Sequence, residues 1–207
     1  MARQRRDAGA RRPAKPIFVI ACEDGKSAPA YLRCLFRLFD HVQYIPAKTG
    51  TSGTAPQQVV DRATRALEAL EGGERDQAWA VIDAEPQTPH RAQQISAVRS
   101  IVRLAVSNPC FEHWIHLHIC DVDGSCSAAR DKVRLLQQDW TAHKCGGSYQ
   151  KGTANFDQLV TRERIRQACE RAERQLSAKH ATQAHLCQAC ATDFFRLVRA
   201  IEELVDS

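Results

Sequence analysis

Three apolar runs in this chain stop at carboxylates. "FVIAC" runs into "EDGK", which places Glu23 and Asp24 at its end. "AVID" runs into "AEP", giving Asp83 and Glu85, and "LAVS" runs into "NPCFE", giving Ser107, Asn108 and Glu112. One acid after a strand is ordinary, because soluble turns carry Asp and Glu. An acid at each of three strand ends is a pattern. Crowded carboxylates repel unless a cation neutralises them, and hard oxygen ligands suit Mg²⁺ or Mn²⁺. Such an ion acting on phosphate activates water and stabilises the attacking and leaving oxygens. Asp24 is expected outside the ligand set, since neighbours in an extended segment point opposite ways and Gly25 turns the chain.

Convergence requires the runs to be neighbouring parallel strands, whose carboxyl ends are where open sheets bind ligands. "PIFVIAC" and "AWAVID" are short, all-apolar and suited to burial on both faces; "HVQYIP" and "VRLAVS" supply two further strands. Between them the spacing predicts helices after Pro29 (Tyr31, Leu32, Leu35, Phe36, Phe39), over Pro56–Leu70 and around Ala92–Ile101. Strands alternating with helices imply right-handed crossovers and a mostly parallel sheet. Beyond Pro109 the pattern turns helical. A helix opens at Pro109 with Phe111, Trp114, Ile115 and His118 inward; a second covers Asn155–Leu176; a last one has Asp193 as its N-cap. The fold class is α/β, a mostly parallel sheet flanked by helices with a C-terminal helical elaboration. Residues 1–15 form a basic arm expected to be disordered, and 16–207 a single domain.

Composition narrows the functional classes. The chain has 207 residues, 43% hydrophobic and 26% charged, with a formal net charge of +5. That size supports one compact domain with an elaboration. The basic balance suits a polyanionic partner. Six Arg or Lys against one Asp in "MARQRRDAGARRPAK" account for much of it. "IFVIAC" is too short for a secretory core, no run approaches a membrane span, and nine cysteines without a secretory signal read as reduced thiols in the cytoplasm.

Other constellations carry less. His116, His118, Cys120, Cys126, His143 and Cys145, with Cys187 and Cys190 at C-x-x-C spacing, hold enough soft ligands for a structural Zn²⁺. A single C-x-x-C is more often two small packed side chains, so zinc stands second to Mg²⁺ or Mn²⁺. Cys110 has no dedicated base, "DVDG" at Asp121–Gly124 lacks the later ligands of a calcium loop, and "GTSGT" at Gly50–Thr54 lacks a phosphate-loop lysine. Any ATPase must be a partner.

"CEDGKSAPAYL", "WAVIDAE", "SNPCFEHWIHLH", "SYQKG" and "TDFFRLVRAIEEL" occur in an order and spacing that resemble the RloB-like family, from about Ile17 to the C-terminus. That family belongs with the Toprim-like proteins. The resemblance implies a phage-defence (abortive-infection) protein working beside an ABC-type ATPase, with metal-dependent nuclease activity on tRNA or DNA. It makes Glu23 a metal ligand or general acid/base and matches Asp83 and Glu85 to an acidic D-x-D. Glu112 becomes a further ligand, and Lys151 the cation at the scissile phosphate. Lys26, Ser27 and Asn108 become substrate contacts. Two departures stand out: Glu85 replaces the second aspartate, and "EDGK" stands where "EGEK" is more usual. The alternative is a non-catalytic binding or regulatory subunit of the ATPase complex. Oligomeric state stays open.

Overall fold

In the computed structural model, residues 15–47, 55–70, 73–85, 88–98, 100–122, 128–152, 154–178 and 190–204 are described. The basic arm before Lys15, the "GTSGT" loop, Asp123–Gly124, Cys126 and Cys187 lie outside them. Each apolar run becomes a strand: β1 (Ile17–Cys22), β2 (Gln43–Pro46), β3 (Gln77–Asp83) and β4 (Arg103–Asn108). They pair in parallel in the order β2-β1-β3-β4, and a short fifth strand, β5 (Ala191–Thr192), closes the β4 edge antiparallel. The chain steps from β1 outward to β2, then back across β1 to β3. The crevice between the ends of β1 and β3 is therefore the topological switch point.

Alternation along the strands divides the core into two layers. Phe18, Ile20 and Cys22 of β1, with Trp79 and Val81 of β3, face one cluster. It is built by α1 (Ser27–Arg37), α4 (Glu112–Leu117), α5 (Ala129–Ala142), α6 (Arg162–Ala178) and α7 (Phe195–Glu202). Val19 and Ala21, with Ala78, Ala80 and Ile82, face the other, under α2 (Pro56–Glu68) and α3 (Pro89–Ala97). Tyr31 sits at the middle of the larger layer. Its ring meets Phe111, Trp114, Phe156 and Phe194 edge-on, and its hydroxyl lies 3.1 Å from His118 Nε2. His118 is buried and held neutral, its pKa pushed down to about 3 by burial and then by Arg164 and Arg171. Among the described residues, no helix is long and apolar enough to cross a membrane.

Local chemistry moves several boundaries. The helix predicted from Asn155 begins only at Arg162, because Asn155 Oδ1 accepts Asp157 N at 2.9 Å and turns the chain. Phe156, Leu159 and Val160 are still buried, but from turns, and Thr161 Oγ1 accepts Arg164 N at the helix start. The helix predicted around Ala92–Ile101 is Pro89–Ala97, where Thr88 Oγ1 accepts Arg91 N at 3.1 Å. Pro109 does not open a helix. It follows a cis peptide bond from Asn108, and α4 starts three residues later. Helix α5 has no counterpart in the sequence reading, because Lys132 occupies a buried position on a stripe otherwise made by Leu136 and Trp140.

Asp193 is the largest reassignment. It does not cap α7 with its side chain; Oδ1 instead accepts Val106 N at 2.6 Å, fastening the start of α7 to β4. The two residues of β5 before it are too few to show a period, though Thr192 Oγ1 meets Ser107 Oγ at 2.8 Å. Burial raises the Asp193 pKa to about 6, against the Val106 hydrogen bond, which lowers it. The folded state thus holds this proton to a higher pH than the unfolded chain, where the value is near ~3.9. Stability contributed here falls as pH rises from about 4 to about 6, by on the order of 3 kcal/mol, and is level above that. Asp193→Asn keeps the acceptor for Val106. Its melting temperature relative to the parent should therefore rise across that window, and a difference independent of pH would refute the assignment.

Candidate active site at the strand ends

The ends of β1, β3 and β4 bring Glu23, Asp83 and Glu112 into one electrostatic group with Lys151. Glu112 is the most unusual member. It opens α4 with its side chain fully buried, and Oε1 accepts hydrogen bonds from Ser27 Oγ at 3.0 Å and Tyr149 Oη at 2.9 Å. Lys151 Nζ lies 3.4 Å from the same oxygen. The second oxygen, Oε2, is buried with no hydrogen-bond donor among the described residues. Burial pushes the Glu112 pKa up, but the Lys151 charge, the nearby Cys110 thiol and the Tyr149 hydrogen bond outweigh it. The net shift is downward, so the carboxylate stays ionised.

Asp83 answers in the opposite sense. Its Oδ1 accepts Phe111 N at 2.9 Å, which holds the β4–α4 turn against β3. Burial raises its pKa well above the usual carboxylate range, and the charges of Glu112 and Glu23 raise it further, against Lys151. Asp83 and Glu112 thus disfavour each other's charge and draw on the same lysine, Lys151, for compensation. Lys151 itself is partly exposed; burial lowers its pKa, but Glu112, Asp24 and Asp83 together raise it, so it remains a cation at the mouth.

Glu23 leans the other way. Parity along β1 sends residue 23 to the face of Val19 and Ala21, and there Arg91 of α3 meets it. Glu23 Oε2 accepts Arg91 Nη2 at 2.5 Å and Asp83 N at 3.1 Å. Both side chains are largely withdrawn from solvent, 13% and 7% exposed, and Arg91 also donates to the Asp83 carbonyl at 2.6 Å. Burial nonetheless leaves the Glu23 pKa raised overall, with Arg91 the chief opposing influence. Arg62 of α2 donates to the Cys22 carbonyl at 3.1 Å, so a second guanidinium stands on this face.

The remaining sequence candidates divide clearly. Asp24 holds the start of α1, accepting Lys26 N at 2.6 Å, Ser27 N at 2.9 Å and Ala28 N at 3.3 Å. Glu85 is turned from the cluster, and its Oε1 accepts Ala129 N at 3.1 Å, at the first turn of α5. Ser27 and Asn108 are both fully buried. Ser27 supports Glu112 from within, and Asn108 pairs with Ala191 in the sheet. Lys26 is exposed, and its stem lies against Gly152, where an added Cβ would come within 3.2 Å of it. Gly152 has φ +91°, so both the backbone and the contact call for glycine beside Lys151. Arg91 and Tyr149 are site residues that sequence spacing does not single out, because neither stands at the end of an apolar run.

Fold and site together define an α/β protein with a buried acidic centre at the switch point of a mostly parallel sheet. The profile of the RloB-like protein family matches residues 18–201, and the chain belongs to the RloB-like family. Comparison with curated proteins gives no match, and comparison with solved structures gives none either.

The two faces should respond oppositely to neutralisation. Asp83→Asn keeps the acceptor for Phe111 N and removes a costly charge, so the metal-free protein should gain stability at neutral pH. That gain should vanish toward acid, where Asp83 is protonated in both folded and unfolded chains. Arg91→Met leaves the Glu23 charge without its partner and should cost about 3 kcal/mol, part of which Glu23→Gln in the same chain restores. Denaturant melts of the four proteins check both statements. Equal losses from Asp83→Asn and Arg91→Met would show that no repulsion is stored at the strand ends.

Proposed function

We propose that this protein is a metal-dependent phosphodiesterase that cuts tRNA or DNA as the effector of an ATPase-linked phage-defence system. The observation that carries the reading is Glu112: an ionised carboxylate buried in the core, with one oxygen lacking a donor among the described residues, and near enough to Asp83 to disfavour its charge. A divalent cation relieves both conditions, and the donor set fits a hard ion such as Mg²⁺ or Mn²⁺. Asp83 and Glu112 are the residues that would hold it, with Glu23 at the margin. Bound there, the ion would supply a Lewis acid for phosphate and a water of lowered pKa.

The chain's own residues take defined roles around that ion. Ser27 and Tyr149 fix the orientation of Glu112, so the carboxylate need not reorganise as charge develops. Lys151, partly exposed and within 3.4 Å of Glu112, is placed to meet a phosphate oxygen that approaches the mouth. Exposed Lys26 packs its stem against Gly152, the residue after Lys151 in the chain. The RloB-like family membership supports the defence setting, an ABC-type ATPase partner and the cytoplasm as the place of action. A second reading, a binding or regulatory subunit without catalysis, draws on the Glu23–Arg91 ion pair, which already neutralises the acid that Toprim-type chemistry would use.

Purified protein incubated with tRNA or DNA and Mn²⁺, alone and with its ATPase, decides between them. The nuclease reading expects cleavage that Glu112→Gln reduces by about a hundredfold or more. It also expects Lys151→Ala to lower kcat by about a hundredfold with KM little changed, because a cation that steadies phosphate charge acts in the transition state. Nucleic-acid binding without cleavage in the parent, retained in Glu112→Gln, would establish the binding subunit instead.

A further inference from the structure

Away from the acidic centre, the far end of α4 meets the far end of α5, and there three side chains of different chemistry converge. His116 Nε2 lies 2.6 Å from Asp139 Oδ2, and Cys120 Sγ lies 3.6 Å from the same oxygen. One ligand atom from each of the three falls within 4.8 Å of the others. His116 and Cys120 are one helical turn apart, since the Cys120 amide donates to the His116 carbonyl at 3.2 Å. Asp139 comes from the last turn of α5, which packs against this end of α4. Residues four apart on a helix share a face. A pair from one helix end and a single carboxylate from a helix packed against it are a compact way to hold an ion with three side chains.

We infer that His116, Cys120 and Asp139 form a three-residue Zn²⁺ site between the ends of α4 and α5, with a water molecule as the fourth ligand. A ligand set of one imidazole, one thiol and one carboxylate is too soft for Mg²⁺ and suits zinc. Tetrahedral zinc with ligands at roughly 2.0–2.3 Å separates its N, O and S atoms by about 3.3–3.5 Å. The Sγ to Oδ2 separation is already of that size. The Nε2 to Oδ2 pair must open by somewhat under about 1 Å, exchanging its hydrogen bond for two bonds to the metal. Burial leaves His116 below the usual imidazole range, so the ring is neutral and has a nitrogen to give. The Cys120 thiol is pushed up to about 11, first by burial and then by Asp139, so zinc must displace its proton.

Lys132 is the opposing charge. It is fully buried on α5, its Nζ has no hydrogen-bond partner among the described residues, and its field reaches both His116 and Cys120. A cation there disfavours a second cation but favours a thiolate. The site therefore accepts an ion only as the thiolate forms, when Cys120 and Asp139 supply two negative charges against the two positive charges of zinc. Glu112 lies one turn before His116 on α4, so the ion would brace the helix that carries the acidic centre.

Reduced, metal-free protein titrated with Co²⁺ as a spectroscopic stand-in tests the site. The expected result is one sulfur-ligated Co²⁺ per chain, counted apart from any ion at the acidic centre, with a sulfur-to-cobalt charge-transfer band and the strong visible bands of four-coordinate cobalt, all displaced by Zn²⁺. Cys120→Ser should abolish the charge-transfer band. Asp139→Asn, at a half-exposed position that tolerates the change, should weaken Zn²⁺ binding at least about tenfold. Cys34→Ser should alter nothing, and in the Glu112→Gln background Zn²⁺ should raise the melting temperature of the chain that keeps Cys120 but not of the one carrying Cys120→Ser. A charge-transfer band that survives Cys120→Ser, or no band in the folded parent, overturns the site. Glu112→Gln separates this site from the acidic centre, since it should leave the cobalt band in place whatever it does to cleavage.

Discussion

Keeping the Glu112 carboxylate charged inside the protein constrains much of what surrounds it. Removing a carboxylate from water costs several kcal/mol unless hydrogen bonds and a counter-charge replace the lost hydration. Here the replacements come from three separate places: Ser27 at the start of α1, Tyr149 in the loop after α5, and Lys151 just beyond it. Each must be held in position by something else. Asp24 fixes the first turn of α1 that presents Ser27, Trp140 packs its ring at 5.4 Å from that of Tyr149, and Gly152 lets the Lys151 loop close on the Lys26 stem. One buried charge thus ties together the first helix, the fifth helix and a loop that would otherwise have little reason to meet.

The same constraint explains why the acids are not equivalent. A strand that ends on an acid presents it to one face or the other according to parity, and the two faces of this sheet differ in what they offer. The α2–α3 face supplies Arg62 and Arg91, so Glu23 is compensated by the protein itself. On the opposite face, the cation that Asp83 and Glu112 meet among the described residues is Lys151, which is shared with Asp24. The unbalanced charge is therefore concentrated on one side of the switch point, and the proposal of a cation there rests on that asymmetry more than on the number of carboxylates.

The strands and the acids at their ends were readable because period and burial are local properties. "PIFVIAC" and "AWAVID" have no polar face to confuse the assignment, and Glu23, Asp83 and Glu112 follow from where such runs stop. Glu85 shows where that logic ends. Spacing of two places it on the face of Asp83 only while the strand continues, yet the Ala84 and Glu85 amides already bond to Ser107 and Pro109. The chain is rounding the end of β4, and the side chain reaches α5. Arg91 and Tyr149 depend on which helix and loop come to lie beside the strand ends, which no local pattern encodes. Helix α5 was hidden for a related reason: a lysine in its buried stripe breaks the apolar period, and only the packed structure shows that Lys132 points inward.

The chain separation of the site's parts has a further consequence for how the protein comes into being. Glu23 and the Asp83 amide it accepts are 60 residues apart, and Ser27 and the Glu112 that it supports are 85 apart. Parallel strands cannot be joined by a tight turn, so every one of these meetings requires a long loop to close before any local contact rewards it. During synthesis the ribosome releases β1, then β3, and much later the loop with Lys151, so the acids exist for some time as separate, solvated side chains. The acidic centre is a product of the finished topology. A chain that is nicked, truncated or only partly folded carries all the residues of the chemistry and none of its geometry.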